Sequence, residues 1–113
     1  MFGQPEKFLE KTFIREQVDE YAMEAVRNHK IYRTATSKLL HTVDQGSWLV
    51  QVFKTKAGNF FLIRWRSAPM VYGRAGGLWH FGGMFPSNRD EILKILAAEH
   101  VEITNILRRE LNL

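Results

Sequence analysis

The stretch Trp48–Arg66, WLVQVFKTKAGNFFLIRWR, decides the fold because a short turn with one glycine joins two apolar runs. This pattern is typical of a β-hairpin. If residues 56–58 form a three-residue loop with Gly58 in the left-handed region, Thr55 faces Asn59. A two-residue loop would shift the pairing by one and place the two apolar sets on opposite faces. The sequence therefore predicts the three-residue loop.

The predicted register sorts the hairpin into two faces, since successive side chains of a strand point to opposite sides. The odd face is mostly apolar and is predicted to be core: Leu49, Gln51, Phe53, Phe61, Ile63 and Trp65. The even face mixes aromatic, aliphatic and cationic residues: Trp48, Val50, Val52, Lys54, Phe60, Leu62, Arg64 and Arg66. If uncovered, its apolar members would form a large exposed patch of the kind that marks interaction surfaces.

The flanks of the hairpin predict helices and further strands. An apolar stripe at helical spacing predicts an N-terminal helix that ends near residue 28: Leu9, Phe13, Val18, Tyr21, Ala22, Ala25 and Val26. Alternation of Leu39, His41 and Val43 predicts a third strand. The stretch Tyr72–Pro86, YGRAGGLWHFGGMFP, predicts either a hairpin that turns at residues 76–77, which we favour, or one long bulged strand.

The last quarter of the chain predicts a helix. Ser87, followed by Asp90, resembles a capping box and is predicted to start it, and β-branched residues near His100 are expected to kink or divide it. The predicted fold is a single α+β domain, 1–113. It has an N-terminal helix, an antiparallel meander of four or five strands and a C-terminal helix, with both helices packed on one face of the sheet.

Composition excludes several classes of protein. The 113 residues include no cysteine, which excludes thiol catalysis and cysteine metal sites. The N-terminal stretch MFGQPEKFLEK lacks a signal-peptide core, and no apolar run approaches the roughly 18 residues of a membrane helix. We therefore expect a cytoplasmic protein without a membrane partner.

Positive charge is concentrated in the middle of the chain. Residues 1–30 carry five Lys/Arg and six Asp/Glu, residues 31–86 carry seven and one, and residues 87–113 carry four and five. The net charges of −1, +6 and −1 add to the +4 of the whole chain. A basic, aromatic central region favours nucleic acid or another polyanion as a partner.

Residues with catalytic or metal-binding chemistry are not grouped by any recognisable spacing. The four histidines are far apart, the glycine-rich residues 73–83 match no phosphate-loop pattern, and Glu16, Glu20 and Glu24 at four-residue spacing are typical of a solvated helix face. His80, between Trp79 and Phe81, is the histidine best placed for chemistry. The sequence predicts no catalytic residue, metal or cofactor and leans away from an enzyme.

The leading hypothesis is a small binding or assembly protein that uses the even face for self-association, as a dimer, or for a partner. The predicted binding residues are Trp48, Lys54, Phe60, Arg64, Arg66 and Arg74. One alternative is binding of nucleic acid or an acidic partner by residues 31–86, with bases stacked on rings and phosphates held by cations. The other is a small-ligand pocket between sheet and helices, lined by Tyr21, Phe61, Trp65, Trp79 and His80.

Overall fold

The computed structural model describes residues 12–68 and 77–113 of the protein. Its strands and helices, in chain order, are β1 (Phe13–Ile14), α1 (Arg15–Glu20), β2 (Glu24–Arg27), β3 (Lys30–Arg33), β4 (Lys38–Asp44), β5 (Trp48–Lys54), β6 (Phe60–Ser67), β7 (Leu78–Ser87), α2 (Arg89–Ala98) and α3 (Asn105–Glu110). A short 3-10 turn, Thr34–Thr36, joins β3 to β4.

Two antiparallel sheets make up the β-structure of the described residues. The larger has the strand order β1-β7-β6-β5-β4, and the smaller pairs β2 with β3. Strands β4 to β7 follow one another as neighbours and form a meander. Strand β1 adds a short edge, where Phe13 pairs with Trp79.

The hairpin register is confirmed. The backbone N–H of Thr55 donates to the carbonyl oxygen of Asn59 at 2.8 Å, and Gly58 has a φ of 91°. Leu49 lies opposite Trp65. Side chains that share parity therefore share a face, as the three-residue loop requires.

The predicted N-terminal helix is wrong over most of its described length. Helix α1 ends at Glu20, and the last two residues of the apolar stripe, Ala25 and Val26, lie on β2, which pairs with β3. Asn28 and His29 make the turn, with φ values of 53° and 63°. Positive φ at both central positions gives the turn that matches strand twist, and Asn and His adopt it more readily than most residues. The predicted helical residues before Thr12 lie outside the described part of the chain.

The prediction that both helices pack on one face of the sheet is also wrong. Val18 of α1 and Tyr32 of β3 cover the odd face, in one core: Phe13, Val18, Tyr32, Leu49, Phe53, Phe61, Ile63, Trp65, Trp79 and Met84. Helices α2 and α3 cover the even face, in a second core: Val43, Val50, Val52, Phe60, Leu62, Ile92, Leu96, Leu107 and Leu111. The aliphatic residues of the even face need such a cover, because burying apolar surface stabilises the fold by about 25 cal/mol per Å².

The C-terminal segment starts one residue later than predicted. Strand β7 runs through Ser87, and Asn88 is the N-cap of α2, with its side chain accepting from the backbone N–H of Glu91 at 2.9 Å. The division near His100 is confirmed, because α2 ends at Ala98 and α3 begins at Asn105.

The glycine-rich stretch is one strand from Leu78 onward, with a bulge that leaves Arg64 opposite Gly83 and Trp65 opposite Phe81. The first arm of the predicted second hairpin, residues 70–74, lies outside the described residues. Among the helices of 12–68 and 77–113, none has the length and apolar character needed to cross a membrane.

Candidate functional site

Helices α2 and α3 leave one part of the even face open, and its centre is a stacked pair of side chains. The guanidinium carbon of Arg64 on β6 lies 4.3 Å from the centre of the Trp48 ring on β5. Both side chains are half-buried, and Arg66, directly opposite Trp48, is exposed. A guanidinium over an indole face is held by the attraction of a cation to the ring electrons.

Two glycines of β7 form the floor beside this pair. A Cβ on Gly82 would lie 3.1 Å from Cζ3 of Trp48, so the indole reaches across β6 to the neighbouring strand. A Cβ on Gly83 would lie 2.8 Å from the ring of Phe85, and the φ of 127° at Gly83 is one that only glycine adopts readily. Without these glycines, neither ring could lie so close to the backbone.

We call the surface formed by Trp48, Arg64, Arg66 and Phe85 over Gly82 and Gly83 the strip. Phe85 is 43% exposed, whereas the aliphatic even-face residues under the helices are nearly inaccessible, with Val52 at 1%. The strip is therefore cationic and aromatic, and the large aliphatic patch expected from the sequence is covered by the chain itself.

The charge of Arg64 is not neutralised locally. Among residues 12–68 and 77–113, no acceptor takes a hydrogen bond from its guanidinium, and no carboxylate pairs with it. Arginine carries five donors in a planar fork that suits phosphate or carboxylate. The strip thus combines the donors of Arg64 with flat apolar rings, and these can contact an anion and stack on a planar group.

The binding residues predicted on the even face do not all lie together in the structure. Trp48, Arg64 and Arg66 lie together in the strip. Phe60 is 8% exposed in the core under α2 and α3. Lys54 lies at the other end of β5, where its ammonium donates to the backbone oxygen of Glu110 at 2.6 Å. Arg74 lies outside the described residues.

The predicted pocket residues do not line one common space. Tyr21, Phe61, Trp65 and Trp79 pack together on the odd face, and Phe61 and Trp65 have no exposed surface. The ring centres of Tyr21 and Trp65 are 5.5 Å apart in an edge-to-face contact. His80 is buried on the even face, opposite Arg66. Close packing of the odd-face aromatics counts against a ligand between them.

Three members of the strip were missed in the sequence: Gly82, Gly83 and Phe85. A signal was present, because Gly82-Gly83 follows an aromatic stretch and a glycine pair in a strand often marks a bulge or a close approach. Placing this glycine pair beneath Trp48 requires the register of β7 on β6, which cannot be derived from the sequence.

Acidic and histidine residues do not converge on a metal site. Within residues 12–68 and 77–113, no three His, Asp or Glu side chains are grouped so that they could hold an ion. Glu24, expected on a helix beside Glu16 and Glu20, lies on β2 and forms an ion pair with Arg33.

No protein-family model matches the chain, and neither a curated protein nor a solved structure matches it. The side chains of the strip are therefore the basis for assigning a function.

Proposed function

We propose that the protein is a non-enzymatic binding protein that holds single-stranded nucleic acid on the strip. The observation that carries the proposal is the stacked pair of Trp48 and Arg64, whose guanidinium pairs with no carboxylate of the described residues. Single strands are bound by rings or guanidinium planes that stack with bases and by cations that contact phosphates. Arg66 and Phe85 supply a second cation and a second ring next to the pair.

Charge and shape both favour a single strand over a duplex. The chain carries a net charge of +4, which is modest for a protein that binds the densely charged backbone of a duplex. Bases in a duplex are stacked on one another and cannot reach a flat aromatic surface, whereas unpaired bases can. The strip lies on a sheet beside α2 and α3, and within residues 12–68 and 77–113 neither of these helices projects there as an isolated helix that could enter a groove.

Self-association through the same face is the second candidate, and the exposure of Phe85 favours it. This ring is 43% exposed on the even face, and Phe81 on the other side of β7 is 38% exposed. The aliphatic residues that first suggested a dimer are covered by α2 and α3, so any dimer contact would be small. Sedimentation of the wild-type protein and of Phe85→Glu tests it, and a wild-type monomer would contradict it.

Fluorescence anisotropy with a labelled single-stranded oligonucleotide of mixed sequence tests the main proposal. We expect salt-sensitive binding that unlabelled duplex competes for poorly. Trp48→Ala should weaken binding by about tenfold, because stacking contributes about 1–3 kcal/mol per base. Ile106→Ala, which truncates an apolar side chain 66% exposed on α3, is the matched control and should bind normally. Absence of binding at low salt, or an equal loss in both variants, would overturn the proposal.

A further inference from the structure

A second group of cations lines a wide-open cavity at the opposite end of the large sheet. The cavity has a volume of about 550 Å³ and is lined by Ala35, Thr36, Ser37, Lys38, Lys54, Thr55, Lys56 and Glu110. Lys54 is six residues from Trp48 along β5, which places the cavity about 20 Å from the strip. The lining carries three lysines and one glutamate, together with three hydroxyl side chains.

Two of the lysines are neighbours with the same charge. Lys38 on β4 lies directly opposite Lys54 on β5, and like charges in this position destabilise a sheet. Glu110 offsets part of the repulsion, because its carboxylate pairs with Lys38 at 3.0 Å and its backbone oxygen accepts from Lys54 at 2.6 Å. These contacts also hold α3 against the sheet, so they are explained by the fold.

Two more features of the lining concern Lys56, which is exposed in the turn after β5, and Ser37. Lys56 makes no hydrogen bond or ion pair within the described part of the chain, and its charge adds to a cavity that one carboxylate cannot neutralise. The hydroxyl oxygen of Ser37 is buried, again with no hydrogen-bond partner among those residues. A buried polar group without a partner costs about 1–3 kcal/mol.

We propose that this cavity binds the phosphate group of a small phosphorylated molecule. Three ammonium groups against one carboxylate leave a surplus of two positive charges, which suits a phosphate dianion. An ammonium has three donors, so Lys38 and Lys54 keep donors for a ligand while holding Glu110. The hydroxyl of Ser37 is buried in the wall of the cavity, and rotation of the side chain about χ1 brings it to a phosphate oxygen, to which it then donates. The volume lies in the range of small-molecule sites.

The site is independent of the strip. Its cations lie on β4, on β5 and in the turn after β5, and it includes no residue of the strip. Variants of Trp48 or Arg64 should therefore leave phosphate binding unchanged. Failure of nucleic-acid binding and failure of phosphate binding can be told apart in the same preparation.

An NMR titration of the full chain tests the site. Inorganic phosphate, and glucose 6-phosphate in a parallel arm, are added at constant ionic strength while backbone amide shifts near Ser37 and Lys56 are followed. Lys56→Gln should weaken binding by about tenfold, as expected for loss of a charged hydrogen bond. Lys94→Gln, which removes an exposed lysine of α2, is the charge-matched control and should bind as the wild type does.

Ser37→Ala provides a second test, with one expectation for stability and another for phosphate binding. Without ligand it should unfold at the same or a higher temperature than the wild type, because it removes a buried hydroxyl that lacks a partner. With phosphate it should bind more weakly. Tighter binding of glucose 6-phosphate than of phosphate would identify a phosphorylated small molecule as the ligand class. The proposal is overturned if neither probe shifts the amides, if free phosphate binds more tightly, or if Lys56→Gln or Ser37→Ala binds as the wild type does.

Discussion

Gly82 lies directly beneath the indole of Trp48: a Cβ at this position would be 3.1 Å from Cζ3 of Trp48 and 2.9 Å from the backbone oxygen of Arg64. Gly82→Ala should therefore move the indole and strain the bulge, at a cost of about 1–3 kcal/mol for overpacking. Urea unfolding measures the cost, and oligonucleotide anisotropy measures the loss of binding.

The contact with Trp48 can be separated from the contact with the backbone by a double variant. In a Trp48→Ala background, Gly82→Ala should cost less stability than in the wild type, since only the clash with the Arg64 oxygen remains. Equal costs in both backgrounds would show that the indole does not rest on Gly82.

A buried hydrogen bond joins the two strands of the hairpin on the odd face. The indole N–H of Trp65 donates to the side-chain oxygen of Gln51 at 2.7 Å, and Gln51 is 1% exposed. Gln51→Leu should destabilise the protein by about 1–3 kcal/mol, because the N–H of Trp65 is left buried without a partner. Adding Trp65→Phe to Gln51→Leu should cost less than Trp65→Phe alone in denaturant unfolding, and strict additivity would argue against the bond.

Because α2 covers the even face, truncating the buried residues of α2 should strongly lower the stability of the protein. Ile92 and Leu96 have no exposed surface, so either change to Ala should lower the free energy of unfolding by about 2–5 kcal/mol. Ile106→Ala on the exposed side of α3 should change it by no more than about 0.5 kcal/mol. Similar small effects at all three positions would mean that α2 does not pack on the sheet.

The ion pair at the lysine cavity predicts a pH dependence. A hydrogen bond from Lys38 lowers the pKa of Glu110, with help from the charges of Lys54 and Arg109. Because the folded pKa is below the unfolded one, the stabilisation is present at neutral pH and is lost as pH falls through the folded pKa. Carboxyl NMR should show Glu110 titrating below an ordinary glutamate, and Lys38→Gln should move its midpoint up. An unchanged midpoint in Lys38→Gln would contradict the pairing.

Local turn chemistry made the hairpin predictable from the sequence. One glycine in a three-residue loop sets the register of Trp48–Arg66, and parity then assigns every side chain to a face. The N-terminal region could not be predicted in the same way. Apolar residues from Val18 to Val26 fit a helical stripe, while the turn at Asn28 and His29 needs positive φ at two non-glycine positions, which the helical pattern does not indicate.

The residues of the even face could be predicted from the sequence, but the helices that cover them could not. Alternation shows that Val50, Val52 and Leu62 share a face with Arg64, yet which helix covers them depends on contacts between distant parts of the chain. The C-terminal helices cover the aliphatic part of the even face and do not cover the strip. Trp48, Arg64 and Arg66 could thus be predicted as one surface, whereas the contribution of Phe85 required the strand register of β7.

The salt dependence of single-strand binding in two charge-matched double variants tests the central claim most directly. Arg64→Gln/Arg66→Gln removes the cations of the strip, and Lys94→Gln/Arg108→Gln removes two exposed cations of α2 and α3. We predict that the first variant loses most of its affinity and that its slope against the logarithm of salt concentration falls by about 1.4, at about 0.7 per phosphate contact. The second variant should behave nearly as the wild type does. Equal slopes and affinities for the two variants would contradict the claim that the strip binds nucleic acid.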